Sequence, residues 1–431
     1  MTSRELKTTR LSFGTIFLVV FILVSGGPYG VEEMVAGSGP GIALLLLLVI
    51  PLVWGGPIGL ICAELASAIP DEGGPYVWID RAFGKFWAFQ YGWWSTISGM
   101  FDTALYVVLA VRYANSSLGQ PPLVQWLLSV GVIAVFAALN VRSLRSMALS
   151  SVGFALVLLL PCAVLAVLGI AHWSRNPFEP FTLPGQSIAG SLGLGLTVAI
   201  WFYAGYESMS TMAGEVAEPQ KVIPRALLLS LPAVVLVYFL PTAAALASVG
   251  RWEEWGTDGP ITLVQVAEQL GGRVLALATL VGALVSCLAL YNAYLASGAR
   301  TTLVMAEARL LPRPFARVHP RYGTPSGSIL ITAAAHAALV ALPLETILVF
   351  DVFLFVIYYL LIMGASVALR VTEPALPRPF RIPLSTAGLT IFVAIPTLVG
   401  LLLLVANGKE YLVYGSLVAA TGPVAYLLLD R

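Results

Sequence analysis

Val24-Ser25-Gly26-Gly27-Pro28-Tyr29-Gly30-Val31-Glu32-Glu33 interrupts an apolar run that begins at Leu11. Two adjacent glycines and a proline cannot sustain a helix: proline has no N–H to donate, and glycine favours the helix little. In lipid, a break leaves backbone groups unpaired. That is tolerated only where they face protein or a water-filled cavity. The stretch therefore reads as a broken first membrane span. Ser25, Gly26 and Gly27 offer free backbone groups, and Tyr29, Glu32 and Glu33 follow directly.

Composition agrees with a membrane setting. Of 431 residues, 58% are hydrophobic and only 10% charged, against roughly 25% charged in soluble domains. A net charge of +1 creates no field that would recruit nucleic acid. Cys62, Cys162 and Cys287 each lie within an apolar run and are odd in number, so no disulfide framework is expected. Arg4, Lys7 and Arg10 precede the first run as in a signal peptide. The run lacks a small-residue cleavage site and continues into Gly-Gly-Pro and Glu-Glu, so a retained first span is expected.

Twelve stretches approach the roughly 20 residues that a bilayer-crossing helix needs. They are about 11–36, 40–63, 86–111, 123–141, 147–172, 187–214, 226–250, 274–304, 325–344, 346–369, 382–408 and 411–429. Twelve spans put both termini on one side. The segments on that side hold 18 of the 23 Lys and Arg; the other side holds Arg112, Arg175, Arg251, Arg273 and Lys409. By the positive-inside bias both termini are expected in the cytoplasm of a cell-membrane protein. The longest expected loops are 70–85, 251–273 and 305–324, none large enough for a soluble domain.

A second, weaker break falls in the sixth stretch, at Trp201-Phe202-Tyr203-Ala204-Gly205-Tyr206-Glu207. Breaks in spans one and six, five spans apart, fit two five-helix repeats of inverted topology that hold a solute at mid-membrane. A single transmembrane domain over 1–431 is expected: repeat one about 11–172, repeat two about 187–369, and two extra helices about 382–429.

Charge inside the bilayer is costly and usually marks function. Asp102 lies in the middle of span three; Trp94, Ser98, Asp102 and Tyr106 recur every four residues and share a face. Glu207 follows the second break, and Glu32 and Glu33 follow the first. Asp351, early in span ten, is expected to face an outer vestibule. No Lys or Arg is expected to neutralise these acids; Arg112 is too far along the helix from Asp102. The acids can bind a cationic solute, carry a coupling proton, for which Glu207 and Asp102 are the candidates, or hold a structural hydrogen bond while protonated. Tyr29, Tyr106, Trp201, Tyr203, Tyr206, Tyr291 and Tyr294 suit an organic ammonium through cation–π attraction, with ordinary core packing as the plainer use. Of the aromatics, Tyr203 and Tyr206 flank the second break and are the leading candidates. His172, His319 and His336 are scattered without metal spacing. No phosphate loop argues for ATP driving, and no nucleophile set argues for catalysis, so neither catalytic residues nor a cofactor are expected.

These residues resemble the amino acid–polyamine–organocation (APC) superfamily, and within it the polyamine-uptake group. The resemblance rests on the first-span stretch quoted above and on Ala63-Glu64-Leu65-Ala66 through Pro70, Gly73-Gly74, Val77-Trp78-Ile79 and Ala82-Phe83-Gly84. Asp102-Thr103-Ala104-Leu105-Tyr106, Ser210-Thr211-Met212-Ala213-Gly214-Glu215-Val216 and Tyr322-Gly323-Thr324-Pro325 extend it, and Glu207 stands where that group has aspartate. It implies an all-α LeuT-type fold, a substrate site between spans one, three, six and eight, and proton-linked uptake by alternating access. The site would comprise Ser25, Gly26, Gly27, Tyr29, Glu32, Glu33, Asp102, Tyr106, Trp201, Tyr203, Ala204, Gly205, Tyr206, Glu207, Tyr291 and Tyr294. One departure matters: span eight reads Tyr291-Asn292-Ala293-Tyr294-Leu295-Ala296-Ser297-Gly298 and lacks the acids of the polyamine group. An amino acid, with its carboxylate on the backbone at Ser25 to Gly27, is therefore the alternative substrate to a polyamine or other organic cation. A channel would need a continuous polar pore, and the polar groups instead cluster at two breaks. A receptor without transport would be separated from a transporter only by uptake measurements.

Overall fold

The computed structural model describes residue 21 and residues 25–71, 73–142, 151–205, 219–256, 261–307 and 311–429. Within these the regular structure is helical, apart from one isolated bridge between Trp255 and Ile261. In chain order the helices are α1 (Val31–Ser38), α2 (Pro40–Ala68), α3 (Pro75–Phe83), α4 (Lys85–Leu118), α5 (Pro122–Val141), α6 (Ser151–Ala171), α7 (Gly193–Phe202), α8 (Pro219–Ser248), α9 (Leu263–Glu307), α10 (Ser326–Leu339), α11 (Leu344–Thr372), α12 (Thr386–Ala406) and α13 (Lys409–Leu429).

Eight described helices are long and apolar enough to cross a membrane: α2, α4, α5, α8, α9, α11, α12 and α13. Shorter apolar helices cover Leu156–Ala171, Gly193–Phe202 and Ser326–Leu339. Half of the first expected span, 11–20 and 22–24, lies outside the described residues. Several expected boundaries shift. The 70–85 loop folds into α3, which starts on Pro75 after Gly74. Proline is well placed in a first turn, where its missing N–H has no partner to lose. The 251–273 loop already contains the start of α9, which is interrupted at Gly272 (φ 69°, ψ −172°) before running on to Glu307. In α2, Pro51 cannot donate, and the ladder widens into a π-turn over Pro51–Gly55.

At both expected breaks the described backbone is non-helical. Residues 25–27 are non-helical, and Gly27 (φ 86°) and Gly30 (φ 94°) take left-handed conformations before α1 begins. Only glycine enters that region without strain. At the other break α7 closes with tightened bonds from Tyr203 N–H to Ile200 O (3.3 Å) and from Ala204 N–H to Trp201 O (3.3 Å). Gly205 then turns left-handed (φ 91°). The two short helices beside the breaks pack on each other, α1 against α7. A Cβ added at Gly37 would lie 2.9 Å from Leu194, and one at Gly195 would collide with Ser38. Small residues thus let the two backbones approach closely.

The central helix is α4, packed most extensively on α11 and α9, while α8 packs on α6 and α2. At the end of α2, the Glu64 carboxylate takes a bidentate pair from Arg370 of α11, with Nε at 2.8 Å, and a further bond from Ile382 N–H at 2.8 Å. Arg378 Nε approaches Glu64 to 3.5 Å. Glu64 and Arg370 are both almost fully buried.

Candidate functional site

Two cavities that share Leu109 lie beside the first break, one of them also reaching the end of α7. The inner one, about 30 Å³, is walled by Gly26, Gly27, Tyr29, Tyr106, Trp201 and Ser286, with apolar groups of α4, α8 and α9. Ser286 Oγ donates to Gly26 O at 2.6 Å, tying the first break to α9. Tyr106 stacks on Tyr294 (5.6 Å, 10°) and lies beside Trp201 (5.9 Å, 38°). These three rings belong to α4, α9 and α7.

Asp102 is tied to these rings without lining the inner cavity itself: Trp201 Nε1 donates to Asp102 Oδ1 at 2.8 Å. One turn earlier on α4, Ser98 Oγ donates to Asp351 Oδ1 at 2.6 Å. Asp351 is buried, 4% exposed, and lies within electrostatic reach of Asp102. The expected vestibule position for Asp351 is therefore corrected. The helix starts at Leu344, which carries Asp351 two turns inward and onto α4. Among the described residues no Lys, Arg or His forms an ion pair with Asp102 or Asp351.

The outer cavity, about 120 Å³, is lined by Gly30, Glu32, Glu33, Arg112, Tyr113 and Gln125, among others. Glu32 accepts from Tyr113 OH (2.8 Å), Leu263 N–H (2.8 Å) and Gly30 N–H (3.2 Å). Glu33 pairs with Arg112 at 2.9 Å. The expectation that no base reaches the acids thus fails at Glu33: Arg112 is too far from Asp102, but the first break lowers Glu33 onto it. Leu109 borders both cavities, and Tyr29 meets Tyr113 edge to face (5.3 Å, 78°) at the same level.

Two of the expected aromatics stand apart. Tyr203 is fully buried and donates to Leu47 O at 2.7 Å; Tyr291 is fully buried against Phe136 and His336. Neither lines either of these two cavities. Ala204 and Gly205 are half-buried at the second break, and Gly205 N–H reaches Tyr359 OH at 3.3 Å. Tyr206 and Glu207 lie outside the described residues. Sequence reasoning missed Tyr113, Ser286 and Asp351 as partners in this region. A four-residue spacing did place Ser98 on the face of Asp102, which was the available signal for its role. Among the described residues no three His, Cys, Asp or Glu gather to hold a metal.

A bundle of eight long apolar helices with partly open cavities beside a non-helical stretch fits a multi-pass membrane protein. The amino acid permease family profile matches residues 11–425, and the chain belongs to that family, part of the APC superfamily. It is 35% identical over 422 residues to a probable polyamine transporter of Arabidopsis thaliana, covering 96% of this chain and 86% of the relative. It is 33% identical over 390 residues to the polyamine transporter PUT1 of Oryza sativa subsp. japonica, covering 89% and 71%. It is 31% identical over 403 residues to the polyamine transporter RMV1 of Arabidopsis thaliana, covering 92% and 81%. The family makes its substrate a small amine or amino acid.

Proposed function

We propose that the chain takes up a polyamine or other small organic cation by proton-linked alternating access. The architecture in this reading is a single domain of twelve spans with LeuT-type inverted repeats, in the cell membrane with both termini cytoplasmic. The observation that carries the reading is Asp102: a part-buried acid within the bundle, with no basic partner among the described residues, beside the aromatic group Trp201, Tyr106 and Tyr294. A desolvated ammonium gains from both the carboxylate and the ring faces. The names of the relatives support the same substrate class. Substrate would sit at Ser25 to Gly27, Tyr29, Tyr106 and Trp201, and Glu207 and Asp102 would carry the coupling proton.

An amino acid substrate is the second reading. It is favoured by one feature: among the described residues no carboxylate lines the inner cavity. A binding screen in detergent with putrescine, spermidine, agmatine, arginine and neutral amino acids separates the two. Glu207→Gln should weaken the best cation at least about tenfold, the lower end of the loss expected when a buried ammonium is left unpaired. Unchanged cation affinity in that variant, with tight neutral amino acid binding, favours the second reading.

A further inference from the structure

We infer that the outer cavity is a separate docking station for a primary ammonium, with Glu32 as its recognising carboxylate. This rests on the amine reading above. The cavity is about four times the size of the inner one, about 120 against about 30 Å³, and holds several waters or a short diamine. About half of its wall is polar, and the polar groups come from separate segments: Glu32 and Glu33 from α1, Arg112 and Ser116 from α4, Gln125 from α5, and Thr262 ahead of α9. Among the described lining residues two carboxylates face one guanidinium, a net charge of −1 that favours a cation.

The charge is not shared evenly. Arg112 is engaged by Glu33 at 2.9 Å. Among the described residues Glu32 receives neutral donors only, the Tyr113 hydroxyl and the N–H groups of Gly30 and Leu263. Neutral hydrogen bonds orient a carboxylate but leave its charge unmatched, and a carboxylate has room for about four donors. An ammonium entering the cavity supplies the missing charge and a short charge-assisted bond. Leu109 lines both cavities, and Tyr113 of the outer one meets Tyr29 of the inner one edge to face, so a solute held at Glu32 lies next to the inner site. Tyr113 donates to Glu32, so a solute that draws on Glu32 also disturbs that ring contact.

The test uses the full-length protein in nanodiscs with putrescine as probe. Cys62, Cys162 and Cys287 are buried, so a thiol placed at Ser116→Cys is read against a low background. Putrescine should slow its reaction with an impermeant maleimide. The protection should persist when Trp201→Ala disables the inner wall. Glu32→Gln should raise the putrescine needed for half-protection at least about tenfold. Glu33→Gln, which leaves Glu32 in place, should retain protection and checks that a change at α1 is tolerated by the fold. Protection that disappears with Trp201→Ala overturns the proposal, since it would then report inner-site occupancy. Putrescine transported without any protection overturns the station alone. Putrescine neither bound nor transported removes the amine reading and the station with it.

Discussion

Glu64→Gln isolates the largest electrostatic commitment in the described structure. The carboxylate holds Arg370 through two oxygens, accepts from Ile382 N–H, and lies 3.5 Å from Arg378 Nε. The side chains of Glu64 and Arg370 are 3% and 2% exposed. Glutamine keeps the volume and one acceptor but turns an NH₂ group toward a guanidinium that can only donate. Two charge-assisted bonds at about 1.5–3 kcal/mol each are then lost or weakened. Removing one partner of a buried ion pair costs about 3–5 kcal/mol, because the other charge remains buried and uncompensated. The two routes agree on roughly 3–5 kcal/mol. The exposed pair Arg81–Glu373, at 42% and 30% exposure, is the internal control; Arg81→Gln should change stability by no more than about 1 kcal/mol. Unfolding in mixed micelles, followed by tryptophan fluorescence, measures both. Replacing both buried partners, Glu64→Leu with Arg370→Met, should recover most of the loss, because Arg370 is then no longer left unmatched. A Glu64→Gln protein within about 1 kcal/mol of wild type would refute the argument.

Three further outcomes are expected. Gly27→Ala forces a side chain into φ 86° and brings its Cβ within 2.9 Å of Leu158 and Tyr29. That costs about 1–2 kcal/mol in backbone strain alone and should abolish binding while leaving membrane insertion intact. Gly99→Ala, with nothing within 4 Å, should leave binding as in wild type. Ser98→Ala removes the hydroxyl on Asp351 and should lower stability by about 1–3 kcal/mol in thermal unfolding; no change would mean that the Ser98–Asp351 bond carries little. Glu253→Cys, exposed ahead of α9, should react with an impermeant maleimide from outside the cell. Reaction only after the membrane is opened contradicts the inside orientation of the termini.

What could be read from the sequence was local. Gly26-Gly27-Pro28 and Gly205 declare breaks in their own stretches, and Asp102 declares itself by lying within an apolar run. What could not be read depends on which helices meet. Arg112 finds Glu33 across 79 positions, and Arg370 finds Glu64 across 306. Positive-inside counting treated Arg370 as a loop cation, and it took the packing of α2 against α11 to bury it. Asp351 was assigned to a vestibule from its place near a span's start. A soft boundary of a few residues decides whether such a position is wet or two turns deep. Tyr203 flanks a break as expected, yet its ring turns to α2 and α8 rather than to the cavity. Spacing along one helix does not set the direction of a side chain at a helix end.

The central claim is that this permease moves an amine driven by protons. Uptake of radiolabelled putrescine into proteoliposomes of the purified protein, with an inward proton gradient and no sodium, tests it most directly. The account predicts accumulation above protein-free vesicles that collapses when a protonophore is added. Absence of putrescine uptake, or uptake that requires sodium and ignores the protonophore, would contradict it.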